Sequence, residues 1–587
     1  MRSTNGDARR HFFFQNREPR LMVESALLGV AGALSAQLFM WMLHGSFRIF
    51  LTGIAGYIPP GAESGPPHQV IGPHGLWLIP LVTTLGGLLS GILVYRFAPE
   101  AEGHGTDTVV DAFHRREGVI RARVPPLKML ASAITIGSGG SAGREGPIAL
   151  ITAGVGSVYA KLAHRSEEDR RLLLLAGMAA GLSAIFRTPM GTGVFAIEVL
   201  YGRMEFEVGA LLYTMIASAV AYTVNGLFVG FQPLFKVPAV PTPVLRDYVT
   251  YAALGLAAGV IGTALPVVFY RARDFFRKLP VPLWSKPALG GLALGILALR
   301  VPQVLGGGYG WIQLAIDGRL ALHLLVILIF AKMAALALTV SSGGSGGVFA
   351  PSLFVGAMLG GTFAVVLHQP SAVFVVVGMA AVFGAAARVP IATMLMVTEM
   401  AGGYHLLVPA GLAVMIGYLL QDQLSSRLRY RSLYEGQVPT RQDSPAHYLE
   451  HIQIALNLLG RRQLPLGDKL GHLDLLRLLR SRIRFDLPGG RELTLNVVPE
   501  DSPVAGRPIA ELYEKLSGYD FEIVAIRRRE HVLLPHPETL LQPGDRLVLI
   551  ASQRAREPLA QFVKPVSEEE AGGVEVQASE TAPPGSG

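Results

Sequence analysis

The sequence predicts an all-α polytopic membrane protein, followed by a small soluble α+β domain. Half of the 587 residues are hydrophobic and only 16% are charged, which is well below the roughly 25% of soluble domains. Apolar segments dominate from about residue 21 to residue 436, and many are short and interrupted by Gly or Pro. Helices that stop partway across a bilayer give such segments, and in transporters their ends line cavities. The membrane part is therefore expected to contain broken and tilted helices.

The apolar segments vary in length around the roughly 20 residues that cross a bilayer. They cover residues 21–43, 76–98, 210–230, 249–270, 288–300, 319–340, 352–367, 371–387 and 405–421. Lys and Arg gather at cytoplasmic flanks of membrane spans, so the net charge of +8 needs no nucleic acid partner. Residues 1–19 are expected to form a cytosolic tail. No signal-like apolar core with a cleavage site follows Arg9-Arg10 closely, which argues against a twin-arginine signal.

The composition becomes polar and basic after the membrane part, which predicts a linker over residues 437–489. Residues 490–566 have the patterns of a soluble α+β domain. RELTLNVV alternates like a strand, PIAELYEKL has a helical period, and FEIVAIRR with HVLLP predicts a hairpin around Arg528–Glu530. A PGD turn precedes the strand RLVLIAS. Residues 567–587 have the composition of a disordered tail.

An internal repeat divides the membrane part, residues 20–436, into halves of about 20–230 and 249–436. GSGGSAGREGP at 137–147 matches SSGGSGGVFAP at six of eleven positions, 204 residues later. FRTPMGTGVFAIE at 186–198 resembles ARVPIATMLMVTE, 201 residues later. Repeats of this kind place a transport site near the membrane midplane. An odd number of crossings in each half would make the repeat inverted.

The two glycine-rich loops have the features of anion sites. Each leads through a Pro into an apolar helix, whose first N–H groups lack intrahelical partners and carry the positive end of the dipole. Glycines let a ligand approach the backbone, so two such loops can hold one dehydrated anion without a fixed cation. The alternative is that the glycines serve close helix packing.

These motifs resemble the CLC family of chloride channels and proton/chloride antiporters. GREGP at 143–147, GGVFAP at 346–351, GGGYGWI at 306–312 and SLYEG at 432–436 carry the resemblance in this order. It implies anion transport, an inverted repeat, and a homodimer with one pathway per subunit. It also implies a multi-pass protein of the inner or plasma membrane with cytosolic termini. No P-loop, dinucleotide-binding, HExxH or nucleophile-elbow motif favours an enzyme.

The resemblance assigns roles to residues of this chain. It implies that Glu145 is the gating carboxylate, which occupies the outer anion site until it is protonated or displaced. The anion-binding candidates are His104, Gly105, Arg144, Gly146, Val348, Phe349 and Tyr434. Among these, Val348 and Phe349 contribute backbone N–H groups and Tyr434 its hydroxyl. Two alternatives remain: an interfacial tyrosine for Tyr434, and a structural or vestibule residue for Arg144.

Two departures from the family pattern bear on the substrate and on coupling. The family's GSGIP loop reads GHGTD at 103–107 here, so His104 stands where a serine would contact the anion. His104 could bind the anion through its backbone or ring, or alter which anion is preferred. Asp107 and Thr106 could cap the following helix, or Asp107 could act in selectivity.

The second departure lies in VFAIEVL, where Glu198 is followed by Val199 instead of a second glutamate. The family's antiporters use that second glutamate as the inner proton station. The candidate proton path is therefore Glu145 with Glu198, although Glu198 matches the repeat partner Glu399 and could be structural. A passive channel and a proton-coupled exchanger both remain open.

Residues 490–566 resemble the RCK-C (TrkA-C) family through RELTLNVVPEDSPVAGRPIAEL and LLQPGDRLVLIAS. That resemblance implies dimerisation and regulation by a small ligand, with cyclic dinucleotides known in some relatives; no other cofactor is expected. Because such domains are common on cation systems, a cation transporter is the alternative from a different class. A TVGYG filter would favour it, and the nearest string, GGGYG at 306–310, lacks the preceding Thr and Val.

Overall fold

The computed structural model describes residues 17–61, 68–238, 244–447, 485–487, 491–528, 531–533 and 535–565. The chain divides into two compact units, with the boundary between Arg441 and Gln442. Most of the predicted N-terminal tail, most of the predicted linker and the predicted C-terminal tail lie outside the described residues.

The membrane unit is helical. Its first half contains α1 (Arg17–Phe47), α2 (Ile79–Phe97), α3 (Thr106–Arg115), α4 (Val124–Gly137), α5 (Glu145–Leu162), α6 (Glu167–Phe186), α7 (Pro189–Glu198) and α8 (Val208–Val229). A π-helical turn, Arg48–Ile54, extends α1. A short antiparallel pair, β1 (Tyr57–Ile58) with β2 (Val70–Ile71), lies before α2.

The second half contains α9 (Leu245–Lys278), α10 (Lys286–Ala298), α11 (Tyr309–Ile316), α12 (Leu322–Val340), α13 (Phe349–Leu367), α14 (Ser371–Ala387), α15 (Pro390–Met400) and α16 (Leu407–Ser425). Within the described part of the chain, seven helical segments are long and apolar enough to cross a membrane: α1 with its extension, α2, α8, α9, α12, α13, and α16 with its 3₁₀ start. The shorter apolar helices include α4, α14 and α15. Helices of unequal length confirm the predicted fold class.

Helix α6 was not among the apolar segments that the sequence singled out. It begins with five charged residues, 167–171, which mask the apolar stretch that follows. Nearly every residue from Leu173 to Phe186 is buried within the protein. A helix that packs on protein instead of lipid needs no long uninterrupted apolar stretch, so hydropathy alone does not identify it.

The repeat is visible as reciprocal contacts between equivalent positions of the two halves. Gly143 and Gly347 form an antiparallel bridge, in which each N–H donates to the other's carbonyl at 2.8 and 2.7 Å. Two buried lysines, 204 positions apart, also match. Lys128 donates to the carbonyls of residues 101 and 103, and Lys332 to those of residues 304 and 306. These exchanges are those expected of two halves related by an approximate two-fold axis.

The soluble unit is an antiparallel sheet with short helices. The strands are β3 (Phe485–Leu487), β4 (Arg491–Val497), β5 (Phe521–Arg528), β6 (His531–Leu533), β7 (Arg546–Ser552) and β8 (Lys564–Pro565), in the order β3-β4-β7-β5-β6 with β8 beside β4. Helices α17 (Ile509–Lys515) and α18 (Arg556–Leu559) accompany it. The predicted hairpin is confirmed, because Arg528 pairs with His531. The unit has an apolar core of buried residues, which include Val498, Leu512 and Leu549.

Candidate functional site

The N-terminal ends of three helices meet around a narrow cavity in the membrane unit. Helix α3 begins at Thr106, α5 at Glu145 and α13 at Phe349. The cavity has room for about one water-sized particle. Its lining residues are Thr106, Glu145, Gly146, Leu182, Phe186, Phe195, Val348, Phe349, Met396 and Tyr434.

The glycine-rich loops bring these helix starts together. Gly139 and Gly343, at equivalent positions of the repeat, have φ of +103° and +101°, a region that favours glycine. The Gly346 N–H donates to the Gly103 carbonyl at 3.1 Å, which ties the second-half loop to the loop before α3. The first N–H groups of a helix have no intrahelical acceptor and lie at the positive end of its dipole. The cavity is therefore electrostatically suited to an anion.

Glu145 is the carboxylate at this cavity. Its side chain is 2% exposed, and its Oε1 accepts a hydrogen bond from the Tyr309 hydroxyl. Its Oε2 lies beside the second-half loop: a Cβ placed on Gly347 would be 3.1 Å from it. Among the residues that the structure describes, Oε2 has no hydrogen-bond partner. The carboxylate thus reaches the meeting point of the two loops with one oxygen held and the other unpaired.

Val348 and Phe349 occupy the start of α13 at the same cavity. Val348 is the N-cap residue and Phe349 is the first helical residue. The Phe349 ring packs on Phe186 and Phe383, with ring centroids 4.7 and 4.4 Å away. This packing fixes the backbone at the start of α13, where the first N–H groups lack intrahelical acceptors. Gly146, the second residue of α5, lies opposite on the first-half side.

Tyr434 reaches the cavity from the loop that follows α16. It is 2% exposed, so it is buried in the protein and not placed in an interfacial belt. The Asp107 carboxylate holds this loop by accepting hydrogen bonds from the backbone N–H groups of Glu435 at 3.2 Å and Gly436 at 3.1 Å. Asp107 therefore connects the start of α3 to the loop that carries Tyr434.

The GHGTD loop differs from what the sequence suggested. Helix α3 has Gly105, with φ of +88°, as its N-cap, and Thr106 and Asp107 are its first two helical residues, so the interpretation of either as the N-cap is wrong. The Asp107 carboxylate instead accepts hydrogen bonds from the loop that carries Tyr434. The Nε2 atom of His104 lies 3.0 Å from Oδ2 of Asp107. His104 is buried beside the Tyr434 ring, at 5.5 Å between centroids, but Thr106 is the residue of this loop that lines the cavity.

Arg144 lies on another side of Glu145, at a larger cavity of about 330 Å³. Its guanidinium stacks over the Tyr309 ring at 4.7 Å, and its Nη1 is 3.4 Å from Met40 Sδ. Residues 306–310 line the same space. Arg144 is thus placed in a vestibule and does not line the narrow cavity.

Glu198 does not line the narrow cavity either. Its carboxylate accepts from the N–H groups of Ile391 at 3.1 Å and Ala392 at 2.6 Å, at the start of α15. Glu399 does the same for Met190 at 3.1 Å and Gly191 at 2.8 Å, at the start of α7. Each glutamate caps the helix that carries the other. Val199, directly after Glu198, is fully buried.

The residues that sequence reasoning missed are Thr106 as a lining residue, Tyr309, and the apolar lining residues Leu182, Phe186, Phe195 and Met396. Thr106 and Tyr309 lie inside motifs that the sequence singled out, GHGTD and GGGYGWI, and a polar side chain in such a loop was the signal. The four apolar residues belong to α6, α7 and α15, and nothing in their local sequence marks them as lining residues.

Comparisons with known proteins match the two units to two families. The voltage gated chloride channel family matches residues 86–422, and the TrkA-C domain family matches residues 493–562. A protein of Ralstonia nicotianae named as a ClcB-like chloride channel protein is 31% identical over 411 residues, covering 68% of this chain and 93% of the relative. An H(+)/Cl(−) exchange transporter, ClcA, of Salmonella agona is 31% identical over 420 residues, covering 68% of this chain and 88% of the relative.

A solved structure of a slow cyanobacterial Cl⁻/H⁺ antiporter shares the fold. The TM-score is 0.62 at 22% sequence identity, over 71% of this chain and 96% of that chain.

Proposed function

The chain belongs to the voltage-gated chloride channel (CLC) family and is an anion transport protein with a C-terminal TrkA-C domain, and from this premise we propose that Glu145 gates its anion pathway. The pathway runs through the narrow cavity at the starts of α3, α5 and α13. The anion is chloride or a similar small anion. Each subunit of a homodimer carries one such pathway.

The observation that carries this proposal is the place of the Glu145 carboxylate. It lies where two glycine-rich loops meet, beside helix starts whose first N–H groups lack intrahelical acceptors and attract an anion. A carboxylate there competes with a free anion for the same donors. When an anion displaces it, or a proton neutralises it, the donors become available and transport proceeds.

The hydrogen-bond donors around the cavity favour passage of the anion over its tight binding. Among the described residues, those that line the cavity include no Lys, Arg or His, and Thr106 and Tyr434 supply neutral hydroxyl groups. Neutral donors hold an anion less tightly than a fixed cation, and release is needed for conduction. The His104–Asp107 pair supports this site indirectly, because Asp107 positions the loop of Tyr434.

Strict proton coupling is not part of the proposal. Val199 carries no proton, and Glu198 is engaged with two backbone N–H groups at the start of α15. The alternative, a proton-coupled exchanger, is favoured by the relative named as an H(+)/Cl(−) exchange transporter. A cation transporter has no comparable support, since the cavity is built from helix N-termini.

We further propose that the chain resides in the inner or plasma membrane with both termini in the cytosol. The TrkA-C domain then lies in the cytosol, where a small ligand such as a nucleotide can regulate transport. The match of residues 493–562 to that domain family supports a regulatory module but names no ligand.

The test uses the purified full chain in liposomes loaded with chloride. Chloride efflux and external pH are recorded together after a chloride gradient is imposed. Efflux without uphill proton movement is the expected result. Proton movement against its gradient, driven by chloride, would establish the exchanger instead, and an absence of any efflux from folded protein would refute anion transport.

A further inference from the structure

We propose that the Tyr309 hydroxyl latches the Glu145 carboxylate in the anion path and thereby sets how readily an anion displaces the gate. The inference rests on the proposed gating role of Glu145 and deepens it. Tyr309 would be a positioning residue, because it acts on the transported anion through Glu145.

The first observation is the hydrogen bond itself. The Tyr309 hydroxyl donates to Glu145 Oε1, while Oε2 has no hydrogen-bond partner within the described residues. The other charged side chain adjacent in sequence, Arg144, stacks over the Tyr309 ring. Tyr309 is thus the side chain whose hydroxyl holds the carboxylate in this state.

The second observation is that Tyr309 is itself firmly positioned. It is the first residue of α11, and its N-cap Gly308 has φ of +82°. The loop before it is fixed by the buried Lys332, which donates to the carbonyls of Val304 at 2.8 Å and Gly306 at 2.6 Å. A hydroxyl on a fixed backbone loses little freedom when it makes its bond, so more of the bond's free energy remains to hold the gate.

The third observation is the place of the ring between two cavities. Tyr309 lines the 330 Å³ vestibule together with Arg144, whereas Glu145 lines the narrow cavity with Tyr434. The Arg144 guanidinium is 4.7 Å from the ring centroid, and the Phe235 ring is 6.2 Å away. The Tyr309–Glu145 hydrogen bond therefore joins a side chain of the vestibule to a side chain of the narrow cavity.

Tyr309 therefore sets the balance between the Glu145 carboxylate and a free anion that compete for the same site. A hydrogen bond to an ionised group is among the stronger ones in proteins, and its loss changes an equilibrium by about tenfold or more. Without the hydroxyl, the carboxylate would occupy the site less firmly. A lower anion concentration would then suffice to displace it.

The experiment measures chloride efflux from liposomes at fixed pH over a range of chloride concentrations for Tyr309→Phe, Glu145→Gln and the double variant. Tyr57→Phe is the matched control, because its buried hydroxyl bonds the Pro302 carbonyl at 3.3 Å and does not contact Glu145. We expect Tyr309→Phe to lower the half-maximal chloride concentration by about tenfold or more. Tyr57→Phe should leave it unchanged, and Tyr309→Phe should have no further effect in the Glu145→Gln background.

The outcomes separate the latch from the gate. If Glu145→Gln alters the chloride dependence but Tyr309→Phe does not, the latch is refuted and the gate stands. If Tyr309→Phe has the same effect with and without the Glu145 carboxylate, it acts on structure and the latch is again refuted. If Glu145→Gln has no effect on either efflux or its chloride dependence, the gate is refuted, and the latch with it.

Discussion

Replacing Glu198 by Gln separates a structural role from a proton-carrying one. The Glu198 carboxylate accepts two N–H groups at the start of α15, at 3.1 and 2.6 Å. Gln keeps the shape and one oxygen acceptor but loses the negative charge that the helix N-terminus favours. Hydrogen bonds to charged groups contribute about 1.5–3 kcal/mol each, and part of this survives with a neutral acceptor. We therefore expect the free energy of unfolding to fall by about 1–3 kcal/mol.

The repeat supplies a matched control, Glu399→Gln. Glu399 caps α7 through the N–H groups of Met190 and Gly191 at nearly the same distances. Thermal unfolding of both variants in detergent should show similar losses of stability, and proton recording in liposomes should match the wild type in both. The cap interpretation would be wrong if Glu198→Gln kept full stability while abolishing a proton flux that Glu399→Gln preserved.

Two further predictions concern the lining of the cavity and the soluble unit. Thr106→Val keeps the shape of the side chain but removes its hydroxyl from the cavity, so the half-maximal chloride concentration for efflux should rise about three- to tenfold. Thr108→Val, on the same helix, is the control. Equal effects of the two variants would show that the Thr106 hydroxyl does not bind the anion. Asp545→Asn breaks an ion pair between the buried Asp545 and the partly exposed Arg528, in which hydrogen bonding to Asp545 raises the pKa of Arg528. A loss of about 2 kcal/mol should appear as about thirtyfold faster hydrogen exchange in β7 of the full chain, and unchanged exchange would contradict it.

The architecture could be predicted because periodicity, composition and the internal repeat can be read directly from the sequence. The equivalence of Gly143 and Gly347 was visible as an offset of 204, and the structure pairs these two residues directly. The β5–β6 hairpin followed from alternation and a short turn. The resemblance to a family supplied the roles of Glu145 and Tyr434, which local patterns alone did not.

The contacts that span long separations could not be predicted. Local sequence suggests a helix cap or a selectivity role for Asp107, yet its carboxylate binds a loop that is more than 300 residues away in sequence. Likewise, nothing local to GGGYGWI indicates that the Tyr309 hydroxyl meets Glu145. Such contacts between distant residues depend on how the two halves of the membrane unit pack together, which local sequence patterns do not show.

The most direct test of the central claim is chloride efflux by Glu145→Gln in liposomes, with protons recorded at the same time. A neutral amide has the shape of the gate but not the charge that competes for the N–H donors at the start of α13. We predict efflux at least as fast as in the wild type, with no proton movement. Loss of efflux in a variant that stays folded would contradict it, because a tethered anion should hinder the free one.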